Sequence, residues 1–262
     1  MFYDAHNHLQ APCYDGLHNE LLENCVGLKR MVVNGCLELD WSKVANLAET
    51  HPQVLPSFGY HPWFIHLRTV DWKNILEGFL DQYPSAVGEI GIDRWKPDIS
   101  YDNQEEVFLA QLAMATERNL PVSIHCLKAW GRLLELLQEN LVPKRGFLLH
   151  SYGGSVEMVP TFTKLGAYYS FPGYFLRGAK GRHREAFKEV PADRLLIETD
   201  APDMQLPSEL NVHPLVDKEG KDVNHPANIR VVYHELAKFL EETEEQLAKR
   251  VEENFLRYFE GF

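Results

Sequence analysis

A chain of 262 residues with 45% hydrophobic content can bury a full core, and it contains no apolar run near the roughly 18 residues of a membrane span. Its formal charge of -12 argues against a surface that holds nucleic acid by bulk electrostatics, so any anionic substrate must be drawn in locally. Cys13, Cys25, Cys36 and Cys126 form no CxxC pair, and the N-terminus lacks a signal-type basic and apolar region, so a reducing, cytoplasmic compartment is expected; one domain is the default at this length, with a monomer favoured.

Residues 2–9 read as a strand on which Asp4, His6 and His8 share one face. A His-x-His pair at a strand end can put two imidazoles on one metal ion. A helix over residues 20–27, an apolar run at 31–35 and a helix over 42–50 follow. The run 54–60 ends at His61-Pro62, which puts His61 at a strand-to-loop junction. Residues 70–82 carry Trp72, Ile75, Leu76, Phe79 and Leu80 at helical spacing and predict a core-facing helix. Residues 86–93, Ala-Val-Gly-Glu-Ile-Gly-Ile-Asp, predict a buried strand with Glu89 in its middle. A carboxylate there needs a partner, either a metal ion or a buried Arg. Gly88 and Gly91 leave the backbone open to a close approach.

Residues 101–119 predict a helix whose apolar side is Val107, Leu109, Leu112 and Met114 and whose wet face includes Gln104, Glu105 and Glu106. Strands at 121–126 and 146–151 end in His125 and His150, with a helix over 129–140 between them. A helix over 155–165, a strand at 167–171, a helix over 180–190 and a strand at 195–200 follow, the last closing on Asp200-Ala-Pro. Residues 203–226 show no period, and helices over 227–241 and 243–259 end the chain. About eight strands alternating with helices, without a Gly-rich phosphate fingerprint, predict an α/β protein of the (β/α)8 TIM-barrel type. A doubly wound sheet is the runner-up, but His-Asn-His stands where a dinucleotide-binding fold would carry its glycines.

Five of these strands carry metal-capable residues at or near their C-terminal ends: His6 and His8, Glu89, His125, His150 and Asp200. In a parallel barrel those ends converge on one face. Six mixed nitrogen and oxygen donors exceed one tetrahedral zinc and suit two divalent ions sharing a carboxylate, for which Glu89 is the central choice. Asp4 and Glu198 lie one layer deeper, as expected acceptors for a ligand histidine.

With these residues in place, the chain resembles the TatD family of metal-dependent hydrolases, within the amidohydrolase-like barrels. The resemblance is carried by Asp4-Ala-His-Asn-His, Gly59-Tyr-His-Pro62, Gly88-Glu-Ile-Gly-Ile-Asp93, Ile124-His125, His150-Ser-Tyr-Gly-Gly154, Glu198-Thr-Asp-Ala-Pro202, Asn224-His-Pro226 and the tail from Asn254 to Phe259. It implies that His6, His8 and Asp200 bind one metal, His125 and His150 the other, and that Glu89 bridges them. It also implies a deoxyribonuclease or broader phosphodiesterase that uses Zn, Mn or Mg. Two positions depart from the family pattern: Leu127 replaces a usual Arg, and Trp63 replaces a second His often found after His-Pro.

The expected reaction is attack of a metal-activated water on phosphorus, with Asp200 as proton acceptor and Glu89 second, and with His61, Lys128 and Arg94 as phosphate donors. The unpatterned stretch 203–226 carries five acids, Asp203, Glu209, Asp217, Glu219 and Asp222, against Lys218 and Lys221. That balance suits DNA ends or short phosphodiesters and disfavours long duplexes. The alternative is a barrel hydrolase of a cyclic amide, lactone or small phosphoester.

Overall fold

The computed structural model describes residues 1–96 and 98–261. Eight strands run in chain order around one sheet: β1 (Phe2–Asn7), β2 (Leu28–Asn34), β3 (Val54–Phe58), β4 (Ala86–Asp93), β5 (Val122–Leu127), β6 (Phe147–Leu149), β7 (Ala167–Pro172) and β8 (Leu195–Glu198). Every successive pair is parallel. Helices α1 (His18–Asn24), α2 (Glu38–Thr50), α3 (Trp72–Gln82), α4 (Tyr101–Arg118), α5 (Trp130–Glu139), α6 (Val159–Lys164) and α7 (Gly181–Ala186) fall in the connections, and α8 (Ile229–Phe239) and α9 (Glu244–Phe259) follow the last strand. The TIM barrel expected from the strand count is the observed fold. No helix among the described residues is long and apolar enough to cross a membrane.

The barrel closes where its first and last strands meet. Asp200 N–H donates to the His6 carbonyl at 3.0 Å, and His8 N–H donates to the Ala201 carbonyl at 2.7 Å. Beneath this seam the Asp4 carboxylate, fully buried, accepts from Thr199 N at 3.0 Å and Thr199 Oγ1 at 2.6 Å, and from His6 N at 3.2 Å. Burial pushes the Asp4 carboxyl up to about 7, against the pull of these donors.

Three expectations change in detail. Helix α2 starts at Glu38 rather than at residue 42, because the Asp40 carboxylate accepts from the N–H groups of Cys36 and Leu37 and completes the first turn. The helix expected over 180–190 contracts to α7, and Gly178 and Gly181 sit in the short 3-10 turns and helix start before it. The stretch 203–226 holds a small hairpin, β9 (Leu215–Val216) with β10 (Asp222–Val223).

The glycines of β4 are also explained differently. A Cβ on Gly91, whose φ is +149°, would lie 2.0 Å from the His125 carbonyl oxygen, and one on Gly88 would lie 2.9 Å from Ser123 Cβ. The space beside Glu89 is therefore taken by β5 and the barrel interior; the glycines admit the neighbouring strand rather than a ligand.

Two buried tyrosines tie the closing helices to the strands. Tyr233 of α8 accepts from Tyr3 N at 3.1 Å and donates to Tyr3 O at 3.0 Å. Tyr258 of α9 does the same with Val122, at 2.8 and 2.7 Å. Removing either hydroxyl leaves a buried N–H and C=O unmatched, so Tyr233→Phe and Tyr258→Phe should each lower unfolding free energy by about 1–3 kcal/mol in urea titration, with the far-UV spectrum unchanged.

Candidate metal centre

The strand ends converge on Glu89, which is 2% exposed, and its two oxygens face different groups. Oε2 lies 3.2 Å from His8 Nε2 and 3.4 Å from His6 Nε2. Asp200 Oδ1 completes that group at 3.5 and 3.6 Å from the same nitrogens. Oε1 lies 2.8 Å from His150 Nε2, 3.0 Å from His125 Nδ1 and 3.4 Å from His61 Nε2. All six sequence-selected donors are thus brought together. His61, expected at the substrate edge, sits inside the cluster with its ring 4.5 Å from that of His125.

Partners on the far side of the His6, His8 and His125 rings aim these nitrogens. His8 Nδ1 lies 2.8 Å from the Asn34 carbonyl, which can only accept, so Nδ1 carries the proton and Nε2 presents its lone pair to the cluster. His125 Nε2 lies 2.8 Å from Asp93 Oδ2, which likewise turns a bare Nδ1 inward. His6 Nδ1 pairs with Ser123 Oγ at 2.7 Å. Among the described residues His150 Nδ1 has no hydrogen-bond partner, and Glu198 Oε1 lies 3.6 Å from it. Glu198 is held by the hydroxyls of Ser151 and Ser170. Of the two deeper carboxylates, Glu198 therefore faces a cluster histidine, whereas Asp4 serves the strand seam.

Ring nitrogens and carboxylate oxygens crowded at 2.8–3.6 Å, with the opposite nitrogens of His6, His8 and His125 already committed, form a donor set that a divalent cation satisfies. His6, His8 and Asp200 form one such group, and Glu89 joins His6 with His150, and His61 with His125, in others. Burial pushes His61 down to about 4, so it stays neutral; its Nδ1 accepts from Trp63 N–H at 3.1 Å, which leaves the ring proton on Nε2, turned to Glu89 Oε1. Burial opposes a charge on Glu89, but the surrounding His61, His150 and His125 outweigh it and hold the carboxyl well below its usual range.

Helix α4 supplies support that composition concealed. Gln104 accepts from Asp93 N at 2.6 Å and donates to Asp93 O at 3.0 Å; Gln111, two turns on, does the same for Tyr60 at 2.6 and 3.2 Å. Gln104 is 1% exposed, so the residue expected on the wet face is a buried clamp behind Asp93. Asp93 itself had a legible signal, since Glu89, Gly91 and Asp93 share one face by the strand period. Backbone strain gathers at the same end: Lys128, Ser151 and Asp200 have φ of +56°, +44° and +51°.

Two cavities flank the cluster and share His8, His61, Trp63, Glu89 and Asp203. One, of about 330 Å³, is walled by Trp130, Tyr174, Phe175 and Lys180. The other, of about 450 Å³, is walled by Pro12, Cys36, Leu37, Lys43 and Phe64. The expected phosphate donors Arg94 and Lys128 line neither. Arg94 lies over Tyr101, 3.8 Å from Glu105. Of the stretch 203–226, Asp203 and Met204 reach the cavities, while its later part packs over the flank near α1 and α8, where Asn228 bonds Asn211 Oδ1 and His213 N.

The profile of the family described as TatD related DNase matches residues 3–260. The chain is 32% identical over 262 residues to the uncharacterized metal-dependent hydrolase YabD of Bacillus subtilis, covering 99% of each chain. It is 29% identical over 235 residues to the 3'-5' ssDNA/RNA exonuclease TatD of Pantoea vagans, covering 87% of this chain and 86% of that one. The crystal structure of YjjV, a TatD homolog from Escherichia coli, superposes with a TM-score of 0.88 at 25% identity, covering 98% of this chain and 97% of that one. A TIM barrel with a histidine and carboxylate cluster at its strand ends, matched across nearly its whole length, belongs to the TatD family of metal-dependent hydrolases.

Proposed function

We propose that this hydrolase is a phosphodiesterase acting on the ends of single-stranded nucleic acid or on short phosphodiesters, using two divalent ions. His6, His8 and Asp200 would hold one ion, His125 and His150 the other, and Glu89 would contribute an oxygen to each. The observation that carries this reading is the division of the Glu89 carboxylate, with Oε2 turned to one pair of imidazoles and Oε1 to the other. The name of the Pantoea exonuclease supports the substrate class. Nitrogen-rich ligation favours Zn or Mn, while phosphoryl chemistry is also served by Mg.

When bound, the ions supply positive charge for the phosphate oxygens and lower the pKa of water toward neutrality. The residues do the rest. Two divalent charges against Glu89 and Asp200, with the ligating histidines neutral, leave about +2 at the loaded site, so an acidic protein attracts a phosphodiester only at the cleft. Asp200, 7% exposed and beside Asp203 at the cavity mouth, is placed to take the proton from attacking water. Glu89 is deeper and stands second. Asp93 fixes the His125 tautomer, and Trp63 Nε1 donates to the same Asp93 oxygen at 2.8 Å and keeps it in place.

The direct test is digestion of 3'-labelled single-stranded DNA by the metal-loaded protein with and without chelator. Shortening that chelator abolishes is expected, and chelator-insensitive digestion would contradict the reading. Glu89→Ala should abolish activity and weaken retention of both ions, whereas His125→Ala or His150→Ala should empty mainly one, as read by metal analysis after dialysis. Asp93→Asn, which removes the negative charge behind His125 and leaves one accepting oxygen for donors that now use two, should lower metal affinity about 10- to 100-fold in a competitive chelator titration. Without divalent metal the protein should hardly bind duplex DNA in a low-salt gel shift, and micromolar binding in EDTA would reveal a basic track.

A further inference from the structure

A pair of residues just after β4 is unexplained by the hydrolytic centre. Trp95 is 52% exposed, a large apolar surface left in water beside the cavities. Its ring centroid lies 6.0 Å from that of Trp63 with 38° between the planes. The Lys96 ammonium lies 3.7 Å from the Trp63 ring centroid, held over the indole face. Trp63 lines both cavities and stands 5.1 Å from His61 and 6.0 Å from His125 by ring centroid, so Lys96 is one indole away from the cluster.

This arrangement is fixed through the centre itself. Asp93 Oδ1 accepts from Trp95 N at 2.6 Å, while Asp93 Oδ2 receives Trp63 Nε1 and faces His125 Nε2, both at 2.8 Å. One carboxylate thus sets the direction of a cluster histidine, the indole that seats Lys96 and the backbone that presents Trp95. Among the described residues Lys96 has no carboxylate at ion-pair distance, whereas Arg94 beside it turns to Glu105 and Lys43 of the second cavity pairs with Asp15. In a chain of net charge -12 the cleft is flanked by Lys43, Lys96 and Lys180, and Lys96 is the one seated on the indole that lines both cavities.

An exposed aromatic face beside a cation is the chemistry by which single-stranded nucleic acid is held without regard to sequence: the base stacks, and the ammonium takes a phosphate. We infer that Trp95 and Lys96 form a subsite for the nucleotide next to the scissile bond, Trp95 stacking on its base and Lys96 binding its outer phosphate. Since Lys96 covers one face of Trp63, that indole acts as the seat of the cation and the stacking falls to Trp95. The inference rests on the phosphodiesterase reading and narrows it. The favoured substrate is a single-stranded oligonucleotide with a base and a second phosphate beyond the bond that is cut, and a minimal diester with neither gains nothing from the subsite.

The test compares kcat/KM of the metal-loaded wild type, Trp95→Ala, Trp95→Phe and Lys96→Gln on a short oligothymidylate and on bis-p-nitrophenyl phosphate. Trp95→Ala and Lys96→Gln should each lose roughly tenfold on the oligonucleotide, while turnover of the small diester stays near wild type. Trp95→Phe should recover most of the loss. Lys96→Gln should also flatten the dependence of log kcat/KM on log salt by about 0.7, the signature of one lost phosphate contact on a single strand. Equal losses on both substrates would make the pair merely structural, and unchanged oligonucleotide kinetics would remove the subsite while leaving the phosphodiesterase reading intact. If the wild type turns over neither substrate, that reading fails and takes the subsite with it.

Discussion

A single buried carboxylate organises the catalytic end of this barrel. Glu89 is charged in a place where charge is expensive, and five imidazole nitrogens and the Asp200 carboxylate gather around it. Such a cluster holds together only if the rings are prevented from turning. Much of the nearby polar structure serves that end: Asn34 fixes His8, Ser123 meets His6, Asp93 fixes His125 and Glu198 faces His150. The identity of these partners matters, because a carbonyl or carboxylate behind the ring decides which nitrogen is bare.

The supports are themselves supported from elements far away in sequence. Helix α4 uses Gln104 and Gln111 to hold the backbone of Asp93 and Tyr60, next to His125 and His61. The Asp4–Thr199 contact draws the first and last strands together directly beneath His6 and Asp200. The barrel seam and the candidate metal centre are therefore one piece of structure, and a loosened seam would move His6 and His8 away from Asp200. Trp63 extends the same network outward, linking the ring of His125 through Asp93 to the cavity mouth.

The fold and the donor set were legible because both depend on strict periods. Strand ends in a parallel barrel fall on one face: His6 and His125 lie near the ends of β1 and β5, His150 and Asp200 one and two residues past β6 and β8, and Glu89 in the middle of β4, so their convergence follows from the parallel register. Gln104 was misread because helical amphipathicity treats a glutamine as polar surface, whereas its amide matched both groups of a strand-end peptide. Asp4 and Glu198 look equivalent in sequence, yet one faces Thr199 and the other His150; which acceptor meets which donor is set by strand stagger and rotamers. Arg94, expected among the phosphate donors, instead lies over Tyr101 and 3.8 Å from Glu105, both of α4, and lines neither cavity. The cations beside the cleft instead come from Lys43, Lys96 and Lys180, which belong to different loops and share no motif.

The central claim is that the two oxygens of Glu89 serve two different ions. Crystals of the wild-type protein grown with manganese, measured on both sides of the manganese absorption edge, test it most directly. The account predicts two anomalous peaks, one among His6, His8, Asp200 and Glu89 Oε2, the other among His125, His150 and Glu89 Oε1. A single peak at full manganese saturation, or a pair of peaks of which one lies out of reach of Glu89, would contradict it.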